Sequence, residues 1–311
     1  TLEEFLEHKT LYYDKIDFTL VKSSWDLLSK KITLPFVIHI VGTNGKGSTG
    51  RFLAHYLHKK DYKVLHYSSP HIMKFNERIW INGNDVSDEN LQDAHKFLQE
   101  LYPIDLLSKL TYFEYTTLLA FYLSKDFDYL VLEAGLGGEF DATNVVENNL
   151  SLITTIGLDH QSFLGNTVDE IAATKMRSVD NKMLIGYQVF DDVIKTAYDV
   201  KKQILEQRNR NIEIIEVKEF EKYKLNDKFA SYLKRNLHLV IACLNELKID
   251  INVKLFDDVK LFGRCQKIAS NITIDVGHNP LAAQVIAKEF EGRKVTLIYN
   301  SYKDKDYEEV L

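Results

Sequence analysis

An α/β protein is predicted: a mostly parallel sheet flanked by helices, followed by a smaller α/β unit at the C-terminal end. Three observations carry that prediction. The apolar, β-branched run Phe36–Val41 stops at a glycine-rich turn, and an amphipathic segment opens at Ser48. Short apolar runs then keep alternating with longer segments of helical period. Towards the C-terminal end the pattern restarts, with Ile272–Val276 as a strand, Asn279 as an N-cap and Pro280 as the first helical residue.

In order along the chain, Leu2–Ser29 spaces leucines and aromatics by three and four and reads as helical pieces. Phe36–Val41 is a strand, Ser48–Lys60 a helix, and Lys63–Tyr67 the next strand. Ser68–Asn84 reads as a long loop, followed by helices at Asp88–Leu101 and Thr111–Ser124. Tyr129–Glu133 and Leu150–Thr155 have the continuous apolar character of buried parallel strands. A helix opens near Thr167; Lys182–Gly186 and Ile212–Val217 are strands around a charged helix, Val189–Asn209. Phe229–Leu247 is helical, Lys248–Phe262 connects, and after Ile272–Val276 a helix runs to Phe290, then a strand at Val295–Tyr299. At 311 residues the chain is long for one core, so two domains are expected, 1–262 and 263–311.

Composition narrows the functional classes. Net charge is −6 with no long basic run, which argues against a nucleic-acid partner. Cys243 and Cys265 stand singly, against a disulfide framework or structural zinc. No apolar run approaches ~18 residues and no basic-then-apolar leader is seen, so neither membrane nor export is expected. The expected compartment is the cytoplasm.

The turn after the first strand carries the chemistry. Gly42, Gly45 and Gly47 leave backbone amides free to point at the helix N-terminus, where amides and dipole favour an anion. Lys46 adds a mobile positive charge, and Ser48 stands where a P-loop hydroxyl meets Mg2+ on the β/γ-phosphates. The register departs from the commonest P-loop: the expected first glycine falls on Ile40, and Gly47 separates Lys46 from Ser48. A nucleotide is the ligand this pattern predicts. Other strand ends are polar too. Glu133 closes one strand, Asp159-His160 follows another, and with Ser48 they fall at one sheet edge, where oxygen-rich groups suit Mg2+. Thr111-x-x-Glu114 and Thr167-x-x-Glu170 have the form of capping boxes, so both glutamates read as caps. Lys175, by itself, reads as a surface lysine late in its helix.

These motifs resemble the folylpolyglutamate synthase and dihydrofolate synthase family of the Mur ligase superfamily. His39-Ile-Val-Gly-Thr-Asn-Gly-Lys-Gly-Ser-Thr49 is similar to its P-loop. Tyr67-Ser-Ser-Pro-His71, Asn76-Glu-Arg-Ile79 and Asn82-Gly83 resemble its folate-side loop. Thr111-Tyr-Phe-Glu114, Leu132-Glu-Ala-Gly-Leu-Gly-Gly138, Asp141-Ala-Thr-Asn144, Leu158-Asp-His160 and Leu164-Gly165 follow in the family's order. Gly263-Arg264 and Asp275-Val-Gly-His-Asn-Pro280 are similar to its second-domain nucleotide motifs.

The resemblance implies a Mur-ligase-like P-loop domain and the start of a glutamate-ligase-type C-terminal domain, expected to be incomplete in this sequence. It implies ATP contacts at Gly42, Thr43, Asn44, Gly45, Lys46, Gly47, Ser48, Thr49, Asn236, Arg264, Asp275 and His278. It places two Mg2+ ions on Ser48, Glu133, His160 and a carbamylated Lys175, with Lys46, His160 and Lys175 as catalytic groups. Ser69, Pro70, His71, Arg78, Thr111, Phe113, Asp141 and Ala142 fall on substrate positions. The implied reaction joins L-glutamate to dihydropteroate or a folyl-glutamate using ATP, in a monomer of the bifunctional type. Three departures stand out: Glu139 where a basic residue is usual, Thr174-Lys-Met-Arg-Ser178 around the modified lysine, and Tyr232-Leu233 for a His-Gln pair. A cell-wall peptide ligase of the same superfamily is the nearest rival, disfavoured by the Ser-Pro-His and Asn-Glu-Arg loop. A P-loop GTPase or other non-ligase NTPase predicts an Asn-Lys-x-Asp motif, which no suitable loop carries.

Overall fold

The structure, a computed structural model, describes residues 1–11 and 18–300. Its centre is an eight-stranded sheet. Strand β1 (Phe36–Val41) lies between β5 (Tyr129–Glu133) and β6 (Leu150–Ile153), parallel to both, with Ile40 beside Glu133 and Val41 beside Ile153. Beyond β5 come β2 (Val64–Tyr67), β3 (Ile79–Ile81) and β4 (Asn84–Asp85); beyond β6 come β7 (Lys182–Ile185) and β8 (Glu213–Glu216). All pairings from β2 to β8 in that order are parallel, while β3 and β4 run antiparallel at one edge.

Alternation along β1 assigns the layers. Val37 faces a core built with helices α1 (Leu2–Glu7), α2 (Phe18–Leu28), α4 (Asp88–Leu101), α5 (Ile104–Lys109) and α6 (Tyr112–Leu123). Further along that face Val41 joins a cluster under α7 (Gln161–Leu164), α8 (Val168–Met176) and α9 (Asp192–Arg208). Ile38 and Ile40 face the opposite side, against α3 (Lys46–Lys59) and α10 (Ser231–Glu246). Beyond α10, a two-stranded ribbon, β9 (Gln266–Ala269) with β10 (Ile272–Ile274), and helix α11 (Pro280–Glu289) make a small second unit.

Both capping boxes form: Thr111 and Thr167 each accept from the backbone three residues on, and Glu114 and Glu170 reach back. Asn279 caps α11 with Pro280 at its start, as its residue types require. Four expectations need correction. Ser68–Asn84 is not all loop: β3 and β4 pair there as a hairpin, and Leu65 sits opposite Ile81, since the Ile79-Trp80-Ile81 run buries apolar side chains against β2. Val295–Tyr299 forms no strand, because no described strand flanks it and Val295, Leu297 and Ile298 are exposed. The strand expected at Ile272–Val276 is shorter, Ile272–Ile274, and among the described residues it pairs only with β9, antiparallel. The short helices α5 and α7 were not expected. Part of the predicted N-terminal helical region, 12–17, and the segment 301–311 lie outside the described residues.

Glu114 is buried and completes the box at the start of α6. Glu114→Gln should cost about 1 kcal/mol, the worth of a helix cap, and lower Tm by about 2–4 °C. Thermal melts beside activity assays check this: the loss should appear in Tm and leave the metal requirement unchanged.

Candidate active site

The glycine turn sits at the carboxyl end of β1, where ligands of open parallel sheets bind. It is pinned from the neighbouring strand's extension: Thr43 and Asn44 donate their amides to the Thr155 carbonyl at 2.9 and 3.1 Å. Gly45 caps α3 with φ +91°, and a Cβ there would lie 2.8 Å from the Asn236 Oδ1. Only glycine permits both the left-handed backbone and that approach. Asn236, buried on α10, in turn donates to the Ser48 hydroxyl at 3.0 Å. Lys46 arches over the loop and donates to the carbonyls of Gly42 and Thr43 at 3.1 and 3.3 Å. Thr49 is buried at the base of the same turn.

Glu133 ends β5 directly opposite Gly47, whose Cβ would come within 3.3 Å of the Glu133 Oε2. The carboxylate is buried and accepts one long bond, 3.4 Å, from the Ser69 amide. Burial raises its pKa, opposed by the positive charges of Lys46 and Arg264. A buried carboxylate so thinly partnered, beside a serine hydroxyl on a phosphate-type loop, fits a hard divalent cation that also takes phosphate oxygens and water.

Lys175 is the largest surprise. It is buried rather than solvated, and burial, then the nearby Lys46 charge, pull its pKa from 10.5 down to about 7. Asp159 and Asp141 oppose the shift. The α8 backbone at Lys175 packs so tightly on Gly138 that a Cβ there would meet the Lys175 carbonyl at 2.5 Å. His160 starts α7 in the left-handed region, with its ring partly exposed and Nε2 3.7 Å from Asp159. Among the described residues no three His, Cys, Asp or Glu side chains gather as a metal cage.

The residues that the sequence resemblance puts at substrate positions line the first face and its edge. Phe113 packs over Gly135, and its ring centroid is 5.9 Å from that of Tyr67. Asp141 is buried, and burial raises its pKa against bonds from Thr143 and the Leu136 amide at 2.7 Å. Ala142 is buried next to it. Thr111 spends its side chain on the capping box. On the loop, Arg78 donates to the His71 Nδ1 at 2.8 Å and lies over the Tyr112 ring, while Ser69 and Pro70 form a cleft wall.

The second-domain motifs split. Arg264 stands on the cleft wall near Glu133. Asn279 exchanges two amide hydrogen bonds with Asn44, 3.0 and 2.9 Å, and so joins the small unit to the P-loop. Asp275 turns inward, accepting from the Tyr232 hydroxyl at 2.8 Å and from the Cys265 and Gly277 amides at 2.6 and 2.7 Å. His278 is exposed, with Nδ1 3.1 Å from the Val276 carbonyl. Two departures meet each other: Arg177 pairs with Glu139 at 2.9 Å, so the reversed charge at 139 has its own counter-ion. Tyr232 is explained too, as the hydroxyl that closes on Asp275.

With this geometry in hand, comparison with known proteins is decisive. The Mur ligase middle domain family matches residues 40–274. A dihydrofolate synthase/folylpolyglutamate synthase of Haemophilus influenzae is 31% identical, the alignment covering 98% of this chain and 78% of that protein. The chain belongs to this family. The crystal structure of Helicobacter pylori folylpolyglutamate synthetase is similar at TM-score 0.77 and 35% identity, covering 99% of this chain and 80% of that one. E. coli FolC, solved with DHPP and ADP, is similar at TM-score 0.75 and 25% identity, covering 96% and 75%. The motifs quoted from the sequence pass over Arg51, which faces the same cleft as Ser48 and Glu133, one helical turn beyond Ser48. Its only sequence signal was that spacing.

The buried Lys175 has a stability signature. Its folded pKa, about 7, lies below the unfolded value of 10.5, so between those values the unfolded chain holds the extra proton and stability rises with pH. Lys175→Met removes this burden. Its advantage over wild type should be greatest at and below about pH 7 and shrink toward pH 10. Urea midpoints in Mg2+-free, CO2-free buffer at three pH values measure it; a pH-independent difference would show that the lysine is not buried as a titrating group.

Proposed function

We propose that the protein is an ATP-dependent amide ligase that joins L-glutamate to dihydropteroate and to folyl-glutamates through an acyl phosphate, giving ADP and phosphate. The observation that carries this reading is the convergence of Lys46, Ser48 and the thinly partnered Glu133 at one sheet edge in a chain of this family. The reading divides the chain into an ATP-binding domain, 1–262, and a glutamate-ligase-type region from 263. A single chain acting in the cytoplasm as a monomer is part of the proposal; among the described residues no helix is long and apolar enough to cross a membrane.

The chemistry follows from what the groups can do. A carboxylate is a poor acyl donor because oxide is a poor leaving group. Transfer of the ATP γ-phosphoryl to the pteroate or terminal glutamyl carboxylate makes an acyl phosphate. The glutamate amine attacks its carbonyl carbon, the C–N bond forms, phosphate leaves and the amine loses its proton. Such transfer depends mainly on positioning and electrostatics. The amides of Gly42–Thr49 and the Lys46 ammonium receive phosphate charge, and Asn236 orients the Ser48 hydroxyl. Ser48, Glu133 and His160 would hold Mg2+, which neutralises phosphate charge as it develops. Arg264 stands on the cleft wall, and His278, exposed in this structure, would come to the nucleotide only if the small unit closed, a movement that would also keep water from the acyl phosphate. Arg78, Phe113 and the buried Asp141 offer the pterin an aromatic wall and polar groups.

Lys175 completes the site as a carbamate. With its pKa drawn down to about 7, a substantial share of Lys175 is neutral near pH 7 and has a free lone pair to attack CO2; the N–C bond forms and one proton leaves. The product is a carboxylate, drawn to a second Mg2+ where an ammonium would be repelled. With 13C-bicarbonate, wild type should show a carbamate carbon resonance that is absent in Lys175→Ala, and a short-chain carboxylic acid should partly restore activity to that variant. A bare ammonium at neutral pH and full activity in Lys175→Ala would refute the modification.

The ligase itself is tested by phosphate release from ATP. Release should require L-glutamate together with dihydropteroate or a folyl-monoglutamate, and a cell-wall precursor should not replace them. Lys46→Ala should lower turnover by about 100-fold or more, and Glu133→Gln should raise the Mg2+ requirement by about tenfold. Turnover of the cell-wall precursor alone would overturn the folate reading.

A further inference from the structure

His39 stands in the middle of β1, and alternation puts it on the same face as Val37 and Val41, both packed in apolar clusters. It is buried, and burial pulls its pKa down to about 4, so the ring is neutral. Its Nδ1 has no hydrogen-bond partner. Burying a bare ring nitrogen costs stability. As filling alone, a valine or leucine would serve this position better. What the ring adds lies at Nε2.

Nε2 lies 2.8 Å from the hydroxyl of Thr143, which is buried as well. That hydroxyl donates its one proton to the Asp141 Oδ1 at 2.5 Å. Toward His39 it can only accept, so Nε2 carries the ring proton and Nδ1 is the bare nitrogen. The row from His39 through Thr143 to Asp141 thus runs in one direction. Oδ1 also accepts from the Thr143 amide at 3.0 Å, and Oδ2 accepts from the Leu136 amide at 2.7 Å. Capping the short turn Ala142–Val145 needs only the Thr143 amide. The bond to Leu136 does something more: it braces the backbone that follows Glu133. On that backbone Gly135 lies directly under the Phe113 ring, where a Cβ would meet the ring at 2.5 Å, and Gly138 lies against the Lys175 backbone. The Asp141 charge is felt at Lys175 and at Tyr67, whose ring is 5.9 Å from that of Phe113.

We infer that His39 is a positioning residue for the pteroyl site: its Nε2 donor holds the Thr143 hydroxyl on Asp141, and so keeps the carboxylate and the Gly135–Leu136 backbone beneath Phe113 in the one arrangement that receives the pterin. This rests on the ligase reading and adds to it a residue that touches no substrate. Hydrogen bonds in a row polarise one another, so the Nε2 donor strengthens the bond from Thr143 to Asp141. Without it the Thr143 oxygen is buried with nothing donating to it, and the hydroxyl is free to rotate. A buried carboxylate that loses a donor is driven toward water, which releases the Leu136 amide and loosens the floor under Phe113.

Two measurements on the intact protein test this. Nitrogen NMR of wild type labelled with 15N-histidine reads the relay without any substrate: His39 should show a protonated Nε2 and a bare Nδ1 across the neutral pH range. A proton on Nδ1 instead, or an imidazolium at neutral pH, would overturn the inference. Kinetics read its use. His39→Phe and Thr143→Val should each raise the KM for dihydropteroate by about tenfold, while the KM for ATP and kcat stay within about twofold of wild type. His39→Gln, whose amide places an N–H near Nε2, and Thr143→Ser, which keeps the hydroxyl, should recover most of the loss. Adding His39→Phe to Thr143→Val should cost little more, because both break one relay. Should His39→Phe fold poorly, Thr143→Val and the wild-type spectrum still decide. A packing defect would move both KM values together and would not be relieved by His39→Gln; that pattern would overturn the positioning role. Absence of phosphate release with every pteroyl substrate would overturn the ligase reading and the pteroyl role with it, whereas normal release with the wrong tautomer would overturn the relay alone.

Discussion

The parallel enclosure of β1 between β5 and β6 is the constraint on which the rest of the molecule depends. It delivers three strand ends to one edge, and each brings a different kind of group. β1 ends in the glycine turn, β5 in the Glu133 carboxylate, and the extension of β6 supplies the Thr155 carbonyl that pins Thr43 and Asn44. Slippage of β5 by one residue would turn Glu133 to the other face and put an apolar side chain against Gly47. The heavy apolar filling on both faces of these strands resists that slip.

That enclosure also creates an unusual electrostatic neighbourhood. Glu133, Asp141 and Lys175 are all buried near one another's elements, and burial pushes each toward its neutral form. The charges that could relieve this are few: Lys46 opposes the shift at Glu133 but deepens the one at Lys175. The site is therefore short of countercharge on both signs. Such an arrangement favours partners that bring charge with them, which is what a polyphosphate with divalent cations does.

Much of this was legible in the sequence. β1 and β5 came out at their observed bounds because buried parallel strands are continuous apolar runs, and the caps at Thr111, Thr167 and Asn279 obeyed local rules. The P-loop residues were readable because glycine spacing has a backbone cause. What was not legible depends on tertiary neighbours. The β3–β4 hairpin hid in a loop-like stretch because each strand is only two or three residues long. Lys175 looked solvated because its burial comes from Gly138 and the fold around α8. Asp275 resembled a nucleotide contact, yet its oxygens are taken by Tyr232 and two amides, a closure no local pattern predicts. Glu139 looked anomalous until Arg177 was found beside it.

The reciprocal Asn44–Asn279 amide pair has a mechanical meaning. It ties the small unit to the phosphate loop through two neutral hydrogen bonds, with no ion pair at that point. Two such bonds hold only about 1–3 kcal/mol net, and water can replace both when they part. Neither partner of this pair carries a charge, so the pair itself is insensitive to salt and to pH, whereas elsewhere the unit is held through carboxylates, Asp275 accepting from the Tyr232 hydroxyl and Glu289 from Ser231. A loop that shifts on receiving phosphate would move Asn44 and tug α11 directly. The small unit thus meets the phosphate loop through an uncharged clasp, set beside a group of buried ionisable side chains.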